Sequence, residues 1–165
     1  RVAGSDLICL LAERAAERGH RVFLLGATPE VARAAADTLM RRHERLQIVG
    51  IETPMLSKLT AEEHHRLIER IASAGADLLL VAFGQPKGEL WLAEHYEQLG
   101  VPACVQLGAS LDFVAGAIPR APRWMQRCGL EWLYRTLREP RRMLPRYAAD
   151  AAFLARAVVR DLRTS

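Results

Sequence analysis

Cysteine is scarce in this 165-residue chain: Cys9, Cys104 and Cys128 are odd in number, widely spaced and without any C-x-x-C pair. That pattern excludes a disulfide framework and a zinc ribbon, and it fits a reducing, cytoplasmic setting. Long apolar runs are missing too, since nothing approaches the roughly 18 residues that a membrane span requires. Neither G-x-G-x-x-G nor G-x-x-x-x-G-K-[ST] occurs, so the dinucleotide fingerprint and the P-loop are both excluded. No internal repeat, low-complexity linker or charged-then-apolar leader is visible; no signal peptide is expected, and the start at Arg1 reads as an internal cut. His64 and His65 stand about 100° apart on a helix and outside any H-E-x-x-H pattern, so no metal site is expected. Asp37, Glu62 and Glu63 read as ordinary helix-surface acids.

What is present is half hydrophobic and a quarter charged, enough for a self-sufficient core. The net charge of +4 is unevenly spread. Residues 1–118 hold 12 Lys and Arg against 15 Asp and Glu, whereas residues 119–165 hold 11 Arg against 4 acids, a balance of +7. Such a block points to phosphates, an anionic membrane surface or nucleic acid, with a solvated helical face as the plain alternative. No RNA- or DNA-binding motif accompanies the charge, so nucleic acid is not an expected partner.

The front of the chain alternates helix and strand. Ser5 is a candidate cap for an apolar-periodic helix ending at Gly19, and Arg21 to Leu25 reads as a buried strand ending at Gly26. Thr28-Pro29 starts an Ala-rich helix that runs to about His43, followed by a strand over Leu46 to Val49. Thr60-Ala61-Glu62-Glu63 is a capping box opening a helix with Leu67, Ile68 and Ile71 inward. Asp77 to Phe83 is an apolar strand, Leu90, Trp91 and Tyr96 lie on a helix ending at Gly100, and Ala103 to Leu107 is a strand ending at Gly108. Continuous apolar strands between helices predict a Rossmann-like α/β fold, with a mainly parallel sheet covered by helices on both faces.

Three strands end in glycine, at Gly26, Gly84 and Gly108. Ligands of open parallel sheets bind beyond the carboxyl ends of the strands, where helix N-termini offer N–H groups to anions and a missing Cβ admits close approach. A glycine after a strand is also ordinary turn chemistry. Asp112, just past Gly108, is a candidate hydrogen-bond acceptor for a nucleoside or a turn-capping residue. Glu89 at a helix start is favoured by the helix dipole with or without a ligand, and Lys87 is within a loop's reach of a phosphate. In the basic block, Leu130, Leu133, Tyr134 and Leu137 form one helical face, with Glu131, Arg135 and Arg138 on another and Arg142 in line if the helix passes Pro140. Trp124, Trp132 and Tyr147 suit a membrane interface or a core. A last helix from Tyr147 to Leu162 is open to lipid, to a second subunit in a homo-oligomer or to its own core.

The run from Val81 through Gly84-Gln85-Pro86-Lys87-Gly88-Glu89 to Trp91, and that from Gly108-Ala109-Ser110-Leu111-Asp112 through Arg120 to Arg135, resemble the WecG/TagA/CpsF glycosyltransferases in order and spacing. Arg1 to Leu7 and Val22 to Gly26 resemble them as well. The resemblance implies sugar transfer from a UDP-sugar to a polyprenyl-diphosphate-linked monosaccharide at the cytoplasmic face of the membrane, with inversion and without an essential metal or cofactor. It implies nucleotide-sugar contacts at Gly26, Gly84, Gln85, Pro86, Lys87, Glu89, Gly108, Ser110 and Asp112, and diphosphate or acceptor contacts at Arg120, Arg135, Arg138 and Arg142. The implied domains are a nucleotide-sugar-binding one over 1–118 and an Arg-rich helical appendage over 119–165 that closes the site and faces the membrane.

This chain departs from the family at defined places. The family's catalytic aspartate lies upstream of the segment that Arg1 to Leu7 resembles, so no catalytic base is expected within this chain. Lys87-Gly88-Glu89 stands where Lys-Gln-Glu is usual, removing an amide side chain that the resemblance implies at the donor site, Gly50 to Met55 replaces an Asp-Gly-Tyr-Phe type loop, and Pro145 replaces an arginine. A second reading is therefore a non-catalytic module that binds a nucleotide-sugar or a partner in a polysaccharide assembly complex.

Overall fold

A computed structural model describes residues 4–119, 121–122, 124–125, 128–138, 140–141, 148, 153 and 156 of the chain. Contacts divide the molecule into two units, Arg1–Pro119 and Arg120–Ser165. The first unit runs α1 (Gly4–Arg18), β1 (Arg21–Gly26), α2 (Pro29–Arg42), β2 (Gln47–Glu52), a 3-10 turn (Leu56–Lys58), α3 (Ala61–Ser73), β3 (Leu78–Ala82), α4 (Lys87–Leu99), β4 (Ala103–Gln106) and α5 (Ser110–Val114). In the second, α6 covers Glu131–Arg138.

All four strands are parallel and lie in the order β2-β1-β3-β4. Their alternation divides the apolar residues into two cores. Val22, Leu24, Leu78 and Leu80 point to the face covered by Ile8, Ala12 and Ala15 of α1, Ala35, Ala36 and Leu39 of α2, and Leu111 and Val114 of α5. Phe23, Leu25, Leu79 and Val81 point to the other face, against Leu67, Ile68 and Ile71 of α3 and Trp91 and Leu99 of α4. A strand buried on both sides has no polar face, which is why β1 and β3 read as unbroken apolar runs. The sheet is therefore parallel and doubly covered, an α/β fold of Rossmann-like type.

Local chemistry sets the ends of the elements. The Thr28 hydroxyl accepts from the Val31 N–H, with Pro29 at the first helical position. At α3 both halves of the capping box form: Thr60 Oγ1 accepts from Glu63 N at 3.2 Å, and Glu63 Oε2 accepts from Thr60 N at 2.8 Å. These bonds hold the Glu63 carboxyl below the usual carboxylate range, so Glu63 does more than decorate the surface. At the opposite edge of the sheet, the Arg21 N–H donates to Asp77 Oδ2 at 2.7 Å, which ties the starts of β1 and β3 together.

The structure corrects several expectations. Ser5 is not a cap: α1 already includes Gly4, and Ser5 is buried within it. A Cβ on Gly4 would stand 2.9 Å from Ser110 Oγ, so α1 passes close to the start of α5. β2 runs to Glu52, three residues beyond Val49, because Gly50 and Ile51 continue the pairing with β1. Gly50 is required there, since a Cβ would stand 2.2 Å from Phe23 Cε2. α4 carries Leu90, Trp91 and Tyr96 as expected; Leu90 and Tyr96 are exposed, and its covered side is Trp91, His95 and Leu99, spaced by four. Arg138 is not segregated from the apolar side of α6, because its i,i+4 spacing brings the guanidinium carbon 5.4 Å from the Tyr134 ring centroid. Arg120, Arg142, Pro145, most of the Tyr147–Leu162 helix and the side chain of Arg135 lie outside the described residues.

Between α3 and α4 sits an aromatic cluster that the pattern of the sequence did not indicate. The Trp91 indole N–H donates to His64 Nε2, so neutral His64 carries its proton on Nδ1. The His64 and His95 rings meet edge to face at 4.7 Å, and the Phe83 and Trp91 centroids lie 6.2 Å apart. Burial pushes the His64 imidazole below its ordinary value of 6.5, His95 adds to the effect, and Glu94 opposes it. The folded chain thus holds His64 neutral where the unfolded chain takes up a proton, so stability is complete above about pH 6.5 and falls as pH drops below it. Urea denaturation is expected to show a lower midpoint at pH 5.5 than at pH 7.5, with His64→Gln shrinking the difference. Equal midpoints at the two values in the parent protein contradict this account of the cluster.

Candidate functional site

Parallel strands deliver all their carboxyl ends to one edge. Because the order is β2-β1-β3-β4, the chain leaves β1 in one direction and β3 in the other, and the crevice at this reversal is the usual ligand position in open α/β sheets. Gly26 ends β1 opposite Ala82, the last residue of β3. Its φ of +104° is a conformation that glycine adopts without a side-chain clash, and a Cβ there would lie 2.8 Å from the Ala82 carbonyl oxygen. The next residue, Ala27, has a φ of +60°, unusual for alanine, and its N–H donates to the Ala82 carbonyl at 3.3 Å. Held this way, the β1–α2 turn lies flat against the end of β3.

The nucleotide-sugar residues expected from the sequence follow the carboxyl ends of the strands in the first unit, whereas Arg120, Arg135, Arg138 and Arg142 belong to the second. Gly84 follows β3 in open space, with nothing within 4 Å of where a Cβ would lie. The Gln85-Pro86 bond is cis, and Pro86 precedes α4 without any side-chain cap for the first N–H groups of the helix. Lys87 is exposed in that first turn, Gly88 is buried, and Glu89 is half-buried with an Oε2 that has no hydrogen-bond partner among the described residues. Across the neighbouring β3–β4 pair, Gly108 turns the chain with a φ of +56°. Ser110 is buried, and its hydroxyl donates to the Leu107 carbonyl at 2.6 Å, which closes that turn. Asp112 is half-buried in α5, and its carbonyl accepts from the Ala117 N–H at 2.9 Å, folding the following segment back over the helix. Among the described residues no three His, Cys, Asp or Glu side chains converge as metal ligands.

Two features of this edge were missed. Ala27 carries no residue-type signal for a positive φ. Gln106 did carry one, as a polar residue closing the apolar run Ala103 to Leu107. It is the last residue of β4, and its side-chain Nε2 donates to the Phe83 carbonyl at 2.6 Å. Its carboxamide also occupies the space next to Gly88: a Cβ on residue 88 would stand 2.0 Å from Nε2 and 2.5 Å from Cδ. The Gln106 carboxamide thus fills, from the strand β4, the place that a side chain at position 88 would take.

The backbone contrast along this edge is testable. Gly26→Ala is expected to lower stability by about 1–3 kcal/mol through its conformation and its clash with Ala82. Gly84→Ala is expected to leave the melting temperature within error, because its Cβ enters open space. Equal melting temperatures for the two variants contradict the geometry. With the edge so built, the match of residues 1–165, the whole chain, to the model of the Glycosyl transferase WecG/TagA/CpsF family settles the relationship: the chain belongs to the WecG/TagA/CpsF glycosyltransferase family.

Proposed function

We propose that this chain binds the sugar donor of an inverting glycosyltransferase, which moves a hexosyl group from a UDP-sugar to a polyprenyl-diphosphate-linked monosaccharide. The setting we assign is the cytoplasmic face of the cell membrane, in the synthesis of exopolysaccharide, teichoic acid or a related surface glycan. The observation that carries this reading is the clustering of Gly26, Gly84 and Gly108 at the ends of three adjacent parallel strands, beside the N-terminus of α4. There Gly84 leaves open space beside the backbone, and Pro86, ahead of the 13-residue α4, gives its first N–H groups no side-chain cap.

In such a transfer the acceptor hydroxyl attacks C1 as the C1–oxygen bond to UDP breaks, and the acceptor proton passes to a general base. The base is assigned to no residue of this chain. The role of the chain is to hold UDP while negative charge grows on the leaving diphosphate. Lys87 and the helix N-termini contribute positive potential at the edge, and Asp112 and Glu89 offer acceptors to nucleoside or sugar hydroxyls. The further charge we assign to the arginines of residues 120–165, including Arg120, Arg135, Arg138 and Arg142, without a metal ion. Trp124 and Trp132 are at least half exposed in the same basic block, a composition suited to an anionic membrane surface. No helix among the described residues is long and apolar enough to cross a membrane.

Calorimetry with UDP tests this reading. Saturable binding is expected in the presence of EDTA, with Asp112→Ala weakening it by about tenfold, the loss of one or two good hydrogen bonds. A folded protein that gives no UDP heat contradicts the donor-site assignment, and UDP binding that requires a divalent ion contradicts the metal-free part of it.

A further inference from the structure

Four buried side-chain polar atoms lack a hydrogen-bond partner among the described residues, and two of them, Gln106 Oε1 and Glu89 Oε2, belong to the carboxyl edge of the sheet. The other two are the ring nitrogens of His95, in the α3–α4 cluster. Buried acceptors are rarely left unpaired, because burial removes their water without returning a bond. Two on the same edge, one an amide oxygen and the other a carboxylate oxygen, call for donors beyond the described residues.

Gln106 is held for such a task. One half of its carboxamide is committed, since Nε2 donates to the Phe83 carbonyl at 2.6 Å and so fixes the plane of the amide against the loop leading to Gly84. The other half, Oε1, remains unpaired. Gly88 makes this placement available: a Cβ on residue 88 would lie 3.0 Å from Oε1 and closer still to Cδ and Nε2. A side chain at position 88 and the carboxamide of Gln106 therefore compete for one space, and the first turn of α4 leaves it to Gln106. Glu89, the next residue of that turn, carries the second unpaired oxygen.

We propose that Gln106 is a specificity-determining residue of the donor site, its Oε1 accepting a hydrogen bond from an O–H or N–H group of the nucleotide-sugar, with Glu89 Oε2 accepting a second and Gly88 kept small to admit the amide. This inference rests on the donor-site reading above and adds to it a residue, a hydrogen-bond polarity and a reason for the glycine. Position 106 then presents its amide, from β4, in the space that a side chain at position 88 would fill from α4.

The test uses the full chain, with UDP, UDP-glucose and UDP-N-acetylglucosamine as probes in calorimetry and a thermal melt for each variant. Gln106→Gly is expected to weaken binding by about tenfold, as for one buried hydrogen bond and the ordering it provides. The exchange Gly88→Gln with Gln106→Gly, which moves the amide from strand to helix, is expected to recover binding to within about threefold of the parent. A loss already complete with UDP places the donor group on the nucleoside; a loss confined to the UDP-sugars places it on the sugar. Either supports the assignment. Parent protein that binds while Gln106→Gly binds equally well overturns it and leaves the donor site standing. So does a loss that the exchange fails to recover although the doubly substituted protein melts like the parent. If Gln106→Gly does not fold, Gly88→Ala, which pushes the carboxamide aside, is expected to give the same weakening, and unchanged binding in that variant overturns the assignment. Parent protein without UDP binding defeats the donor-site reading itself, and this inference with it.

Discussion

The constraint on which the candidate site depends is the meeting of β1 and β3 at their carboxyl ends. A parallel sheet buried on both faces leaves its backbone accessible only at its edges, and here the strand order reverses between these two strands. Gly26 passes within side-chain distance of the Ala82 carbonyl, and Ala27 takes a left-handed conformation to return a hydrogen bond to it. Non-glycine residues persist in such conformations where the surroundings over-determine them. In this molecule the surroundings are Leu24, Leu25, Leu80 and Val81, which are almost fully buried and lock the two strands side by side.

From that lock the remainder of the edge follows. The loop after β3 leaves Gly84 uncovered and enters α4 without a side-chain cap, while β4 lies alongside and sends Gln106 across to Phe83. The underside of α4 is tied to α3 through Trp91 and His64, and Trp91 also touches Phe83 at the end of β3. The loop bearing the candidate donor contacts is thus held from two sides, by an amide from the sheet and by an aromatic cluster between helices. A preorganised rim suits a reaction in which charge develops on a leaving diphosphate, because its dipoles need no rearrangement as that charge grows.

Much of this was legible in the sequence, for physical reasons that differ by element. Strands buried on both faces have no polar alternation, so Val22 to Leu25 and Leu78 to Val81 announce a covered parallel sheet. Thr28-Pro29 and Thr60 to Glu63 mark helix starts because their side chains satisfy particular N–H groups. β2 was harder to delimit, since its residues alternate between exposed and half-buried and Gly50, a poor strand former, is demanded by the Phe23 ring. The covered side of α4 was not legible, because Leu90 and Tyr96 are apolar but outward, whereas the polar His95 packs on His64 and Trp91. The partnership of Gly88 with Gln106 joins residues on different elements, and local spacing carries no record of it.

Amide chemical-shift mapping in the 15N-labelled chain titrated with UDP tests the central claim most directly. The account predicts that the largest perturbations fall on Gly26, Ala27, Gly84, Gly88 and Gly108, at the carboxyl edge of the sheet. Saturable shifts confined to the outer faces of α1 and α3, with those five amides unmoved, contradict it.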